Sequence, residues 1–149
     1  MLSYACVYLA ADGPAITAAM HCNLAGIYYE QENPVVLTNW RERVKLATAL
    51  RLALKQFSPR DRNLRETKKS DWPSYRASGC RSVREFETTY LRIAIRALND
   101  AELLYDCSAQ PRSEKDITLH VTLTRSGTDE EVGRLVFRLF DACSTWIAF

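Results

Sequence analysis

Residues 117 to 147 constrain the fold more than any other stretch. Ile117, Leu119, Val121 and Leu123 alternate with Thr118, His120, Thr122 and Thr124 within Asp116 to Arg125, the period of two that sends successive side chains to opposite faces of a strand. Gly127 turns the chain, and Thr128 with Glu131 forms the capping-box pattern that opens a helix. The period then changes to 3.6, with Val132, Leu135, Val136, Leu139, Cys143 and Trp146 along one face as far as about Ile147. A one-sided strand followed by a one-sided helix needs a core in which a helix lies on a sheet.

The remaining pattern fills in an α+β fold of about four helices packed on a small, mainly antiparallel sheet of about three strands. Ser3 to Leu9, rich in Tyr, Val and Leu, reads as a strand. Asp12-Gly13-Pro14 reads as a helix start, with Pro14 set for the first turn. That helix runs to about Tyr29, with Ile16, Met20, Leu24 and Ile27 on one side and Ala15, Ala18, Cys22 and Ala25 on the other. An alternative ends it near Ala25 and makes Ile27 to Glu30 a strand. A second helix spans about Asn39 to Phe57, where Trp40, Leu46, Ala47, Leu50, Ala53, Leu54 and Phe57 cover one arc. A third opens at the Ser82/Glu85 capping box and runs to Asn99-Asp100. Its stripe of Val83, Phe86, Tyr90, Ile93, Ala94 and Ala97 is widened by Leu91, Ile95 and Leu98, marking it as the central element. Glu102 to Ser108 and Asp116 to Arg125 pair across a polar loop.

At 149 residues the expectation is one globular domain over 1–149. It carries a long irregular basic segment at about 58–81 with two prolines and Gly79. No apolar run approaches the 18 or so residues that cross a bilayer, so no membrane role is expected. The first forty residues hold no Lys or Arg, and Tyr4 to Leu9 is a short apolar run, so it reads as a strand and not as a leader. Cys6, Cys22, Cys80, Cys107 and Cys143 are an odd number without a Cys-x-x-Cys pair. Free thiols in a reducing cytoplasm are the expectation.

Enzyme signatures are mostly missing. No Gly-rich phosphate loop, G-x-S-x-G or H-E-x-x-H is present, so no catalytic residue is assigned and no cofactor is expected. His21 and His120 with scattered cysteines make a metal site improbable. Cys80 lies before a helix start beside Arg76, Arg81 and Arg84, a setting that favours a thiolate, although a passive thiol is the simpler account. The Ser78 to Ser82 stretch at the same helix start is a candidate anion site. Phe137 projects from the polar arc of the last helix and marks a candidate dimer or partner contact.

Charge carries the functional reading. The net charge is +2, yet Arg41 to Arg96 holds 15 basic against 6 acidic residues while the rest of the chain is acidic. Arg41, Lys45, Arg51 and Lys55 line the polar side of the second helix with only Glu42 opposing them. Like charges at helical spacing repel by a few tenths of a kcal/mol each, repulsion that an acidic partner would relieve. The irregular segment adds Trp72, Tyr75, Arg76 and Arg81, the residue types that dominate protein interfaces. These eight are the candidate partner-binding residues. The expected function is a non-catalytic protein-binding module, of inhibitor, immunity or adaptor type, that grips an acidic protein surface. A nucleic-acid-binding regulator and an enzyme with a site assembled from scattered residues stay open as alternatives, as does a homodimer.

Overall fold

The computed structural model describes residues 3–109 and 117–147. The elements are β1 (Tyr4–Ala10), β2 (Ala15–Cys22), β3 (Tyr28–Glu30), β4 (Val35–Leu37), α1 (Arg43–Lys55), β5 (Ser58–Pro59), α2 (Pro73–Ser78), α3 (Val83–Thr89), β6 (Tyr90–Ala97), β7 (Glu102–Ala109), β8 (Ile117–Thr124) and α4 (Asp129–Ile147). Two single 3-10 turns, Leu64–Glu66 and Lys69–Asp71, precede α2. The sheet has eight strands and its main path runs β3-β2-β1-β6-β7-β8. β4 shares the outer edge of β2 with β3, and β5 pairs parallel to the end of β2 that β1 does not reach. Every other pairing is antiparallel.

The expected sheet of about three strands is therefore corrected to eight, under four helices. Two segments account for most of the difference. Asp12-Gly13-Pro14 does not start a helix; it turns a β-hairpin, with Gly13 at φ 110° and its N–H donating to the Ala10 carbonyl at 3.1 Å. Such a φ is open to glycine because it lacks a Cβ. The chain returns as β2, whose Ala15, Thr17 and Ala19 alternate with Ile16, Ala18 and Met20, all six buried. A strand covered on both faces loses its polar alternation and reads as a continuous apolar run. The alternative strand at Ile27 to Glu30 corresponds to β3.

The second correction concerns the central element. Ser82 caps a helix as expected, its Oγ accepting the Glu85 N–H at 3.1 Å, but α3 stops after two turns at Thr89. From Tyr90 the chain is the strand β6, between β1 and β7. Leu91, Ile93 and Ile95 are buried there while Arg92 and Arg96 are exposed, a clean period of two. The β-branched pair Thr88-Thr89 and the isoleucines favour the strand.

Two layers cover the sheet. On one face α1 and α4 bury Trp40, Leu46, Leu50, Val136 and Leu139 against Val7, Leu9, Ile93, Ile95, Tyr105 and Cys107. Burial pushes the Tyr105 phenol up to about 12. On the other face Phe86, Trp72 and Tyr75 pack on Cys6, Tyr8, Ile16 and Met20. Among the described residues that second layer stops short of β7 and β8, and Asp106 and His120 are in contact with each other there. α4 follows the sequence reading, with Thr128 and Glu131 exchanging the two capping-box bonds at 3.2 and 2.6 Å. Phe137, the candidate contact residue, is half-buried against Trp40 at 4.6 Å, with the Arg43 guanidinium 4.9 Å from its ring. The polar loop at 110–116 and the Ile117 and Trp146 side chains lie outside the described residues.

Two substitutions test this packing. A Cβ on Gly133 would sit 2.6 Å from the Arg43 Cβ and 2.9 Å from its carbonyl oxygen, where α4 crosses α1. Gly133→Ala gains about 1 kcal/mol of helix propensity but forces the helices apart, so we expect a net loss of about 1–3 kcal/mol in urea unfolding. Thr17 is 2% exposed and its hydroxyl lacks a hydrogen-bond partner among the described residues. Thr17→Val keeps the shape and removes the stranded hydroxyl, so unfolding free energy should rise by about 1 kcal/mol.

Candidate partner-binding surface and cleft

The segment after α1 crosses from the helical layer to the second face of the sheet, and backbone bonds hold it there. Arg60 N–H donates to the Cys22 carbonyl at 2.9 Å, and the Tyr29 hydroxyl donates to the Arg60 carbonyl at 2.7 Å. The β2–β3 turn reaches up to meet it: Leu24 N–H donates to Asp61 Oδ1 at 3.3 Å. The stretch at 58–81 thus includes β5, two 3-10 turns and α2. Pro73 begins α2 and Gly79, at φ 73°, ends it.

One carboxylate ties this cover down. Glu30 pairs with Met20 in register, so its side chain shares the second face and is buried there, 8% exposed. Its Oε1 accepts the Tyr8 hydroxyl at 2.5 Å and the Trp72 indole N–H at 2.6 Å. Its Oε2 accepts the Ser74 N–H at 2.9 Å and the Ser74 hydroxyl at 2.7 Å. Four donors on two oxygens satisfy a charge that would be costly to bury alone. Burial pushes the Tyr8 phenol well above its ordinary value, with the Cys6 thiol and the Glu30 carboxylate adding to the effect, so Tyr8 stays a donor at neutral pH. Trp72 is also wedged edge-on against Phe86 at 4.8 Å.

Beside Glu30 opens a cleft of about 290 Å³, walled by Tyr28, Tyr29 and Trp72 and bordered by Arg62, Lys68 and Arg92. Arg92 reaches across from β6, its Nη2 donating to the Tyr4 hydroxyl at 3.0 Å and to the Cys6 Sγ at 3.3 Å. Burial pushes the Tyr4 phenol up to about 12, so it accepts as a neutral group. The Tyr4 ring stacks on Tyr28 at 4.6 Å. Beside the cleft, the β2–β3 turn projects apolar surface, with Leu24 89% exposed and Ile27 51%, and the cleft wall Tyr28, 41% exposed, continues it. Next to it lies an open groove of about 440 Å³, lined by Cys22, Phe57, Pro59, Arg60 and Asp61 with Leu24.

The eight residues assigned from sequence fall on two sides of the sheet. On the α1 side, Arg41 stacks over Trp40 at 4.8 Å and donates to the Ala11 carbonyl, and Lys45 pairs with Glu42 at 2.5 Å. Arg51 is engaged within the chain, gripping Asp129 at 2.7 Å and the carbonyls of Arg125 and Gly127. Lys55 is exposed in the last turn of α1. On the other side, Trp72 is held by Glu30 and Tyr75 is half-buried beside Phe86. Arg76 pairs with Glu32 at 2.8 Å and Arg81 is exposed. Cys80 is half-buried in the same cluster. Within the candidate anion stretch, the Arg81 N–H donates to Glu85 and the Cys80 N–H to the Ser78 hydroxyl.

Sequence reasoning missed Glu30, Leu24, Ile27, Tyr28, Tyr29 and Arg92 as site residues. The one available signal was Asn23 to Gly26, a polar-to-glycine turn signature in which Asn23 Oδ1 accepts the Ile27 N–H at 2.9 Å. Among the described residues no group of three or more His, Cys, Asp or Glu side chains is placed to hold a metal ion. Nor is any helix there long and apolar enough to cross a membrane.

Comparison with known proteins places the fold. No protein-family profile matches the chain, and no curated protein matches it by sequence. Two solved structures share its architecture along nearly its whole length. One is a protein of unknown function from Neisseria meningitidis, at 17% identity and TM-score 0.75, with 96% of each chain covered. The other belongs to the CdiA-CT/CdiI toxin and immunity complex from Yersinia pseudotuberculosis, at 11% identity and TM-score 0.70, covering 96% of this chain and 98% of that one. At these identities the likeness is one of fold.

The Glu30 network is directly testable. Glu30→Gln sets an amide NH2 against two of the four donors, and we expect a loss of about 2–3 kcal/mol in thermal or urea unfolding. Limited trypsin digestion should show faster cleavage at Arg60 to Lys69, because the cover loses its tether.

Proposed function

We propose that this chain is a non-catalytic, immunity-type protein that neutralises or escorts a partner protein by capping an acidic surface on it. The observation that carries this reading is the exposed apolar surface of Leu24, Ile27 and Tyr28 set against the basic segment after α1, where Arg60 lines the groove beside Leu24 and Arg65 lies exposed further along. Large exposed apolar side chains ringed by charge are the marks of an interface, and neither arginine has a carboxylate within ion-pair distance among the described residues. The structural likeness to a chain of a toxin and immunity complex supports the same class. Of the residues assigned from sequence, Trp72 and Tyr75 would set the shape of this side while Arg76 and Arg81 extend its basic flank. Arg41, Lys45 and Lys55 would form a second contact only for a partner that wraps the β2–β4 edge, with Arg51 bracing α1 behind them. The five unpaired thiols support a cytoplasmic setting.

The test is affinity capture from the native cell with the wild-type chain, an Arg60→Glu/Arg65→Glu chain and a Leu24→Asp chain, all at physiological salt. We expect one stoichiometric protein partner with an acidic contact surface, and about tenfold or greater weakening by either variant. Recovery of the same partner at undiminished affinity by both variants would remove this surface from the proposal. Recovery of nucleic acid alone, with steep salt dependence, would favour the nucleic-acid reading.

A further inference from the structure

The cleft beside Glu30 shares Tyr28 with the apolar surface of the turn but differs from it in chemistry. Its walls are fixed before any ligand arrives. Trp72 is oriented by its bond to Glu30 at 2.6 Å, and Tyr28 is stacked on Tyr4 at 4.6 Å. Arg92 is pinned through one nitrogen, Nη2, to Tyr4 and Cys6, which leaves its Nε and Nη1 donors unused among the described residues. Arg62 lies over the Tyr29 ring at 5.8 Å, and neither it nor Lys68 has a carboxylate within 4.0 Å there. The two acids in the lining, Glu30 and Asp71, offset part of this charge and leave a formal surplus of one. The Glu30 oxygens are turned to four internal donors and Asp71 Oδ2 accepts the Lys68 N–H at 2.9 Å, so neither acid is ion-paired with the three cations.

We propose that this cleft binds a nucleoside monophosphate, the ring between the aromatic walls and the phosphate on Arg62, Lys68 and Arg92. Preset aromatic surfaces accept any flat ring without hydrogen-bond readout. Three cations, two from the segment after β5 and one from β6, suit a dianion with three oxygens better than a single carboxylate. A volume of about 290 Å³ sits at the small end of ligand pockets, room for one ring and one anionic group and not for a longer strand. The site stands independently of partner capture: its key cations, Arg62 and Arg92, are not the pair substituted in that test.

Isothermal titration calorimetry at 50 mM salt tests it, with adenosine monophosphate, adenosine and inorganic phosphate as separate probes against the wild-type chain, Arg62→Gln and Arg92→Gln. We expect saturable one-site binding of the monophosphate, about tenfold or more tighter than either adenosine or phosphate. Each variant should weaken it by about tenfold. Arg62 is exposed, so Arg62→Gln should melt at the wild-type temperature and remains informative if Arg92→Gln fails to fold. No saturable binding at millimolar monophosphate overturns the proposal. So does phosphate binding as tightly as the monophosphate, or unchanged affinity in Arg62→Gln.

Discussion

Burial of β1 and β2 on both faces is the constraint from which the rest of the architecture follows. Cys6 and Tyr8 point one way, Val7 and Leu9 the other, and all four are buried. A strand pair with two apolar faces needs two covering layers, and α1 with α4 can supply only one of them. The chain therefore has to bring material round the β2 edge to the far side. It does so directly after α1, where Phe57 joins the second core and β5 pairs onto the end of β2. The irregular segment is thus a structural layer first, and its surface chemistry is what a layer of that origin leaves exposed.

Between β5 and α3 this layer is built from 3-10 turns and a six-residue helix in which no apolar side chain is fully buried, so its position rests heavily on polar anchoring. Glu30 supplies that anchor. Its position on β3 puts it over the second core, and its four donors come from β1, the Trp72 side chain and the first turn of α2. An apolar residue at this point would pack but could not orient an indole and a helix start at once. The same geometry makes the walls of the cleft rigid, since Trp72 and Tyr8 serve both the anchor and the lining.

The legible parts of the sequence were those where one face meets water. β7, β8 and α4 carry a polar side, and their residues fall within one or two positions of the pattern read from period alone. α1 also appeared as a helix, about four residues shorter at its start than its apolar arc implied. The failures were the doubly covered β2, which mimics a small-residue helix, and β6. In β6 a real capping box at Ser82 lent its helical period to eight residues that belong to a strand. The site was harder still. Trp72 and Tyr75 stood out as aromatics in a basic loop, but aromatics there turn inward when the loop is itself a covering layer. Glu30 lies in a run with Gln31, Glu32 and Asn33, where nothing local separates a buried carboxylate from solvated ones. Leu24 and Ile27 look like helix core until the hairpin is known.

The basic surplus of the middle third resolves into two populations once partners are assigned. Arg43, Lys45, Arg51 and Arg76 each face a carboxylate of the chain itself, and three of those contacts join segments far apart in sequence. Arg43, Arg51 and Arg76 thereby link distant segments, so the acidic flanks and the basic centre do partly neutralise each other across the structure. Arg62, Lys68 and Arg92 find no such acid among the described residues and border one cleft, and Arg60 borders the groove next to it; Arg41, Lys55, Arg65, Arg81 and Arg84 also lack one. Exposed like charges brought this close lower stability unless something outside offsets them. The unmatched group is therefore the part of the charge pattern that calls for an external partner, while the matched group explains why net charge alone could not reveal it.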